Sequence, residues 1–350
     1  MEILFTHDDL DGAGCSIIFE LMHTDATKGK DYEIINCSNN NIDIKVQARM
    51  KTMSKDDSVL IADICCSKEL LKELNEFVGG KVTVMDHHPT NAYATEVIGD
   101  NAVIMSGATG VAPMCGTSIM AFSMINILDD NPDNNELQEK LFYLSAEHNP
   151  DLLLEFVNDV REYDTYTFKL TGNIKAKWLQ TMFSLLGMKR FCETMVEKLK
   201  SDSCDLFDPV VQQFIEAKLE TEQTVIDSYT MDDIIQFEWG GKKCGLVFNM
   251  FANFSEFGNQ FLQKHPELDV MMMASFGKDP VFQMRSVKDD IDLGKDFAAK
   301  IGGGGHPKAA GAPFGFVLIS SLINDIFRVI STESKMPVLR NVAKDQIFKS

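Results

Sequence analysis

Val82-Thr83-Val84-Met85-Asp86-His87-His88 is the stretch that decides the fold. A short apolar run, rich in β-branched residues, reads as a buried strand, and one carboxylate and two imidazoles follow at its carboxyl end. The same arrangement occurs twice more. Ile3-Leu4-Phe5 leads into His7, Asp9 and Asp11, and Val59-Leu60-Ile61-Ala62 runs into Asp63. Ligands of open α/β sheets bind beyond the carboxyl ends of the strands, so three strands that each end in donors point to a metal site at the rim of a parallel sheet. Mixed imidazole and carboxylate donors, with no thiolate among them, suit Mn²⁺ or a similar ion rather than structural zinc. Taken singly, an Asp-x-Asp loop is most often a helix cap. The conjunction at successive strand ends is what carries the reading.

Working outward, strands are expected at 3–6, 32–36, 59–63, 82–86 and 102–105, with helices at 14–23 and 68–77 between them. That alternation implies βαβ units and a mostly parallel, doubly wound α/β sheet. From Gly116 to about Leu186 the pattern turns helical, broken at Asn131-Pro132-Asp133-Asn134 and at Asn149-Pro150. Residues 188–232 interleave charges with Phe191, Met195, Leu199, Phe214 and Leu219, as a helical connector would. Beyond it, strand-like runs at 234–237, 244–248, 270–273 and 280–285, a glycine run and an amphipathic helix from Ser320 to about Ile330 describe a smaller α+β domain. The expected organisation is thus 1–187, 188–232 and 233–350.

The chain of 350 residues carries 52 acidic against 33 basic residues, a net charge of −19. Such a surface repels long polyanions, which disfavours a protein that tracks along duplex nucleic acid. The eight cysteines show no CxxC pairing, which argues against a disulfide framework or a zinc knuckle and for thiols in a reducing cytosol. No apolar run is long enough to span a bilayer, and Met1-Glu2-Ile3-Leu4 enters a strand with no basic segment before it. A cytoplasmic protein without a membrane span or signal peptide is expected.

His7, Asp9 and Asp11 alternate along one short segment and project to one side. Three donors on one loop suggest two ions sharing it, with Asp63 placed to bridge them and His87 to complete the second. A further carboxylate is needed. Asp151 would cap the helix after Asn149-Pro150, whereas Asp164 follows the stripe Phe156, Val157, Val160 and Tyr163. A carboxylate beside such a stripe is costly unless paired or metal-bound, so Asp164 is the expected ligand.

In the second domain, Gly302-Gly303-Gly304-Gly305-His306 allows backbone N–H groups to gather into an anion-binding nest, with His306 adding a donor. Arg285 can form a fork with phosphate.

These motifs together resemble the DHH phosphoesterase superfamily, in the branch with a C-terminal DHHA1 domain. His7-Asp8-Asp9-Leu10-Asp11-Gly12, Ala62-Asp63 and Asp86-His87-His88 are similar to its first three motifs, and Arg285 with Gly302 to His306 and Ala309-Ala310-Gly311 to the DHHA1 pattern. The wording around Cys15, Cys115-Gly116-Thr117-Ser118 and Val160 to Tyr166 is most like the nanoRNase B type of oligoribonuclease. The resemblance implies two Mn²⁺ ions, with Co²⁺ or Mg²⁺ as substitutes: His7, Asp9 and Asp63 on one, Asp11, Asp63, His87 and Asp164 on the other. It implies that Asp86 orients the histidines, that His88 faces the substrate phosphate, and that Arg285, Gly303, Gly304, Gly305 and His306 bind substrate. The expected activity is Mn²⁺-dependent hydrolysis of short RNA or DNA oligonucleotides, about two to five residues long, to 5′-mononucleotides, in keeping with weak counterion-release affinity for long strands. A phosphatase acting on 3′-phosphoadenosine 5′-phosphate, or a phosphodiesterase acting on cyclic or linear dinucleotides, is the alternative. A RecJ-like exonuclease and a non-enzymatic nucleotide sensor rank below these. Homo-oligomerisation is left open.

Overall fold

The computed structural model describes residues 1–25, 31–105, 113–126, 149–201, 203, 205–248, 253–275 and 280–313. The turn expected at 131–134 and the helix expected at 320–330 lie outside these. The chain divides into two compact units, Met1–Glu220 and Thr221–Ser350.

The first unit is built on a parallel sheet of β1 (Glu2–His7), β2 (Tyr32–Cys37), β3 (Ser58–Ala62), β4 (Val82–Asp86) and β5 (Ala102–Ile104), in the order β2-β1-β3-β4-β5. Parallel strands are covered on both faces, and side chains alternate between them. In β1, Ile3 and Phe5 enter one core and Leu4 the other. The Ile3 face packs against α2 (Ile42–Met50), α3 (Lys68–Phe77) and α4 (Tyr93–Ile98). The Leu4 face packs against α1 (Leu10–Asp25), α5 (Gly116–Asn126), α6 (Pro150–Asp164) and α7 (Ile174–Lys200). The chain leaves β1 towards β2 on one side and returns as β3 on the other. This makes the β1/β3 boundary the switch point of the sheet, where such folds open a crevice.

α7 bends at Gly187, whose φ of 70° and ψ of 166° are not helical. Beyond the bend, Phe191, Met195 and Leu199 are buried in the first unit's core, so residues 188–200 pack as part of that unit. The division between the units falls within α8 (Pro209–Ser228).

In the second unit a mixed sheet runs in the order β10-β11-β9-β8-β7-β6: β6 (Ile235–Trp239), β7 (Lys242–Phe248), β8 (Val270–Ser275), β9 (Val281–Arg285), β10 (Gly304–His306) and β11 (Ala309–Pro313). Only β7 and β8 pair in parallel among the described strands of this sheet, joined through α9 (Phe254–Lys264). Asn253 caps α9 by accepting from Ser255 N and Glu256 N. The helix buries Phe254, Phe257, Phe261 and Leu262 with Met271 and Met273 of β8.

Candidate metal centre

Each expected donor of the first unit sits where its strand ends. His7 is the last residue of β1 and Asp9 and Asp11 follow it; Asp63 comes one residue after β3; Asp86 closes β4 and delivers His87 and His88. Asp164 arrives from the other direction, as the last residue of α6.

Three groups of these residues have donor atoms within 4.8 Å of one another: Asp63, Asp86, His87 and His88, and the two that match the expected ion sites, His7, Asp9 and Asp63, and Asp11, His87 and Asp164. Asp63 faces both of the latter. Its Oδ1 lies 3.2 Å from His87 Nε2, and its Oδ2 lies 3.9 Å from His7 Nδ1. His87 Nε2 is also 3.6 Å from Asp164 Oδ2 and 3.8 Å from Asp11 Oδ2. The Asp63 side chain is buried, and Oδ2 makes no hydrogen bond among the described residues. A buried carboxylate oxygen left so is destabilising by several kcal/mol, roughly, unless a cation stands beside it. The donor set therefore fits a pair of divalent ions, with Asp63 common to both.

Electrostatics agree. Burial, then the charges of Asp11 and Asp9, push the Asp63 carboxyl well above the usual carboxylate range. The same causes raise Asp164, whose side chain is 26% exposed. For His7, burial opposes the charged form, but Asp9, 2.6 Å away, together with Asp8 and Asp11 outweighs it and brings the imidazole up to about 9. In the absence of metal a protonated imidazole is the compensating charge of the site, and a bound cation would reverse that logic.

The surroundings fix the donors in place. Gly12 N donates to Asp9 Oδ1 at 3.0 Å. Asp11 is held by the first turn of α5: Gly116 N donates to Oδ2 at 2.6 Å, Thr117 N to Oδ1 at 2.8 Å, and Thr117 Oγ1 to the Asp11 carbonyl at 2.7 Å. This helix start, with its positive end toward a carboxylate, is a positioning element that composition and spacing did not disclose. Gly116 has to be glycine, since a Cβ there would lie 2.5 Å from Asp63 Cβ. Asp63 itself takes φ of 60°, a left-handed conformation uncommon for a residue with a side chain.

Asp86 plays a different part. Its Oδ1 accepts from His87 N, His88 N and His88 Nδ1 at 2.7, 3.0 and 2.7 Å, and Asn91 Nδ2 donates to Oδ2. Both oxygens are taken, which suits a residue that orients the histidines. Burial disfavours a charged His88, but the Asp86 hydrogen bond and charge outweigh it and raise the imidazole.

Asp151 is not brought to the site and does not cap α6. Asn149 does, accepting from Leu152 N at 3.1 Å, because Pro150 at the first helical position places the cap one residue earlier.

In the second unit, Arg285 ends β9, and across the sheet it stands in register with Ala309 of β11, itself opposite His306 of β10. Arg285 and His306 thus share one face, two strands apart. The glycines expected to form a nest are part of the sheet and its approach. Gly304 and Gly305 are in the edge strand β10, Gly303 N is spent on Ala298 O at 2.8 Å, and a Cβ on Gly303 would lie 2.2 Å from Gly311 O. Close strand packing, rather than anion capture, accounts for the lack of side chains at Gly303.

No protein-family model matches the chain. A curated relative, the oligoribonuclease NrnB of Bacillus subtilis, is 28% identical over 341 residues, covering 93% of this chain and 76% of the relative. Among solved structures, RecJ of Thermus thermophilus in complex with Mn²⁺ superposes with a TM-score of 0.52 at 13% identity, over 91% of this chain and 50% of that one, and so speaks for the fold. The likeness to an oligoribonuclease of the nanoRNase B type, first carried by the motifs, thus extends over 93% of the chain, and its fold is similar to that of RecJ.

Proposed function

We propose that the protein is a metal-dependent phosphodiesterase that hydrolyses short oligonucleotides to 5′-mononucleotides. The observation that carries this reading is Asp63, whose two buried oxygens each face a different group of donors. His7, Asp9 and Asp63 would hold one Mn²⁺, and Asp11, Asp63, His87 and Asp164 the other. Two divalent ions bound there would supply Lewis acidity toward a phosphodiester and lower the pKa of an attacking water.

The protein's own residues set the rest. Asp86 holds His88 through Nδ1, so Nε2 is the ring atom that carries a proton toward the leaving oxygen. Its raised affinity for that proton keeps the donor charged nearer neutrality. Arg285 and His306 bind phosphate of the substrate in this reading, and a fork of N–H groups on a phosphate favours an oligonucleotide terminus over a bare phosphate ester. The net charge of −19 fits short substrates, because long strands bind acidic proteins poorly. The oligoribonuclease relative favours RNA of a few residues over the alternatives.

The test is a substrate panel with Mn²⁺: 3′-phosphoadenosine 5′-phosphate, cyclic di-AMP, pGpG, and 5′-labelled RNA of graded length. Fastest turnover of the shortest RNAs and pGpG, with mononucleotide products, is expected. Turnover confined to 3′-phosphoadenosine 5′-phosphate or to the cyclic dinucleotide would overturn the assignment.

A further inference from the structure

Arg285 is held in a way that a surface arginine would not need. One guanidinium nitrogen donates to Ser255 Oγ, another donates to the Met284 carbonyl at 2.8 Å, and the group lies 5.7 Å from the centre of the Phe254 ring. Gly258, one turn along α9, removes the side chain that would obstruct its stem: a Cβ there would lie 3.0 Å from both Cβ and Cγ of Arg285. Two hydrogen bonds and an aromatic face fix both the position and the plane of the fork. Ser255 is fixed in turn, since its N–H donates to the capping Asn253 at 2.9 Å and its carbonyl accepts from Asn259 at 2.8 Å.

We infer that Ser255, Phe254 and Gly258 on the first turns of α9 are positioning residues that aim the Arg285 guanidinium at a substrate phosphate. The inference rests on the phosphodiesterase reading above and adds to it the device that makes Arg285 specific. An arginine free to swing has to be ordered each time substrate binds, and that ordering entropy is taken from affinity. Pre-ordering by Ser255 removes the cost before the phosphate arrives. The effect belongs to KM, because α9 lies in the second unit and none of the expected metal donors does.

The experiment compares wild type with Ser255→Ala, Ser255→Thr and Gly258→Ala, measuring KM and kcat on a 5′-phosphorylated dinucleotide and on bis-p-nitrophenyl phosphate. Loss of one hydrogen bond to a charged group predicts a rise of about tenfold in the dinucleotide KM of Ser255→Ala. Its kcat and its turnover of the chromogenic ester stay within about twofold, and Ser255→Thr restores KM. Gly258→Ala, which displaces the stem instead of the fork, raises the same KM with an unchanged far-ultraviolet spectrum. A dinucleotide KM for Ser255→Ala within twofold of wild type overturns the inference, as does an equal loss on both substrates. Should wild type fail to hydrolyse dinucleotides at all, the functional reading falls, and the positioning claim is read from ¹⁵N relaxation of the Arg285 Nε–H, assigned with Arg285→Lys. A rigid group in wild type that becomes mobile in Ser255→Ala supports the claim; equal mobility in both overturns it.

Discussion

At the scale of single residues, Asp63 combines three costs: a left-handed backbone, a buried carboxylate, and neighbouring carboxylates, Asp11, Asp9 and Asp164, that push its proton affinity up. Strain of about 1–3 kcal/mol persists at such positions only where the surroundings impose it, and it concentrates at functional sites. Asparagine tolerates the left-handed region, so Asp63→Asn removes the charge without altering the backbone preference. Its hydrolysis of any phosphodiester should fall below a few per cent of wild type. The metal-free variant should nevertheless melt about 2–4 °C above metal-free wild type, the shift expected for about 1 kcal/mol in a protein of this kind. A lower melting temperature would show that the carboxylates are not in electrostatic conflict. Asp86, whose oxygens are both taken by donors, gives the contrasting case. Asp86→Asn should retain the full metal stoichiometry while kcat drops about 10–100-fold, the usual effect of losing the partner that orients a working histidine. Loss of metal in that variant would make Asp86 a ligand. The donors at the strand ends were legible in the sequence because each is within a few residues of an apolar run. The grip of Gly116 and Thr117 on Asp11 was not, because it joins residues more than a hundred positions apart and uses backbone N–H groups that every sequence possesses.

At the scale of elements, α5 and α6 bring in what the strands do not supply. Gly116→Ala would drive a methyl group into Asp63 and against Asp11 Oδ2, 3.0 Å away, so the helix start must retreat and Asp11 loses its two N–H donors. Activity should fall at least a hundredfold with some loss of thermal stability, while far-ultraviolet helicity is retained; near-normal activity would mean that α5 does not position the site. α6 is also tied to α7 through Asp159, which is 2% exposed and accepts from Asn173 Nδ2 at 2.7 Å. Burial, helped by Glu155 and Glu162, lifts its carboxyl to about 7 against the Asn173 hydrogen bond and the charge of Lys175. A carboxylate raised in the folded state withdraws stability as pH rises from its unfolded value, near 4, to about 7. Asp159→Asn should therefore be more stable than wild type above pH 7, by at most about 4 kcal/mol for roughly three pH units, and equal to it near pH 4. Denaturant melts across pH 4–8 would show the difference; a parallel pair of curves would refute it. The elements themselves were largely readable, since the five parallel strands fall within a residue or two of the apolar runs. The cap of α6 was misplaced by two residues, Asp151 for Asn149, because both are good caps and only the proline's position decides between them. The edge strand at the glycine run was not legible, because glycines that permit an anion nest equally permit a closely packed edge strand.

At the scale of the whole molecule, the order of the first sheet puts its switch point between the strands that carry His7 and Asp63, which is why one carboxylate can serve two groups of donors. Among the described residues no helix is long and apolar enough to cross a membrane. Binding of ions to the folded chain alone should raise its melting temperature with metal concentration, following the logarithm of the ratio to the dissociation constant. In the proposed site two ions meet at Asp63, with Asp164 completing the second. Equilibrium dialysis against Mn²⁺, with hydrolysis of a dinucleotide measured on the same samples, tests it most directly. Two ions per chain are expected in wild type, and close to one in Asp164→Asn with hydrolysis lost. One ion in wild type, or two ions with full hydrolysis in Asp164→Asn, would contradict it.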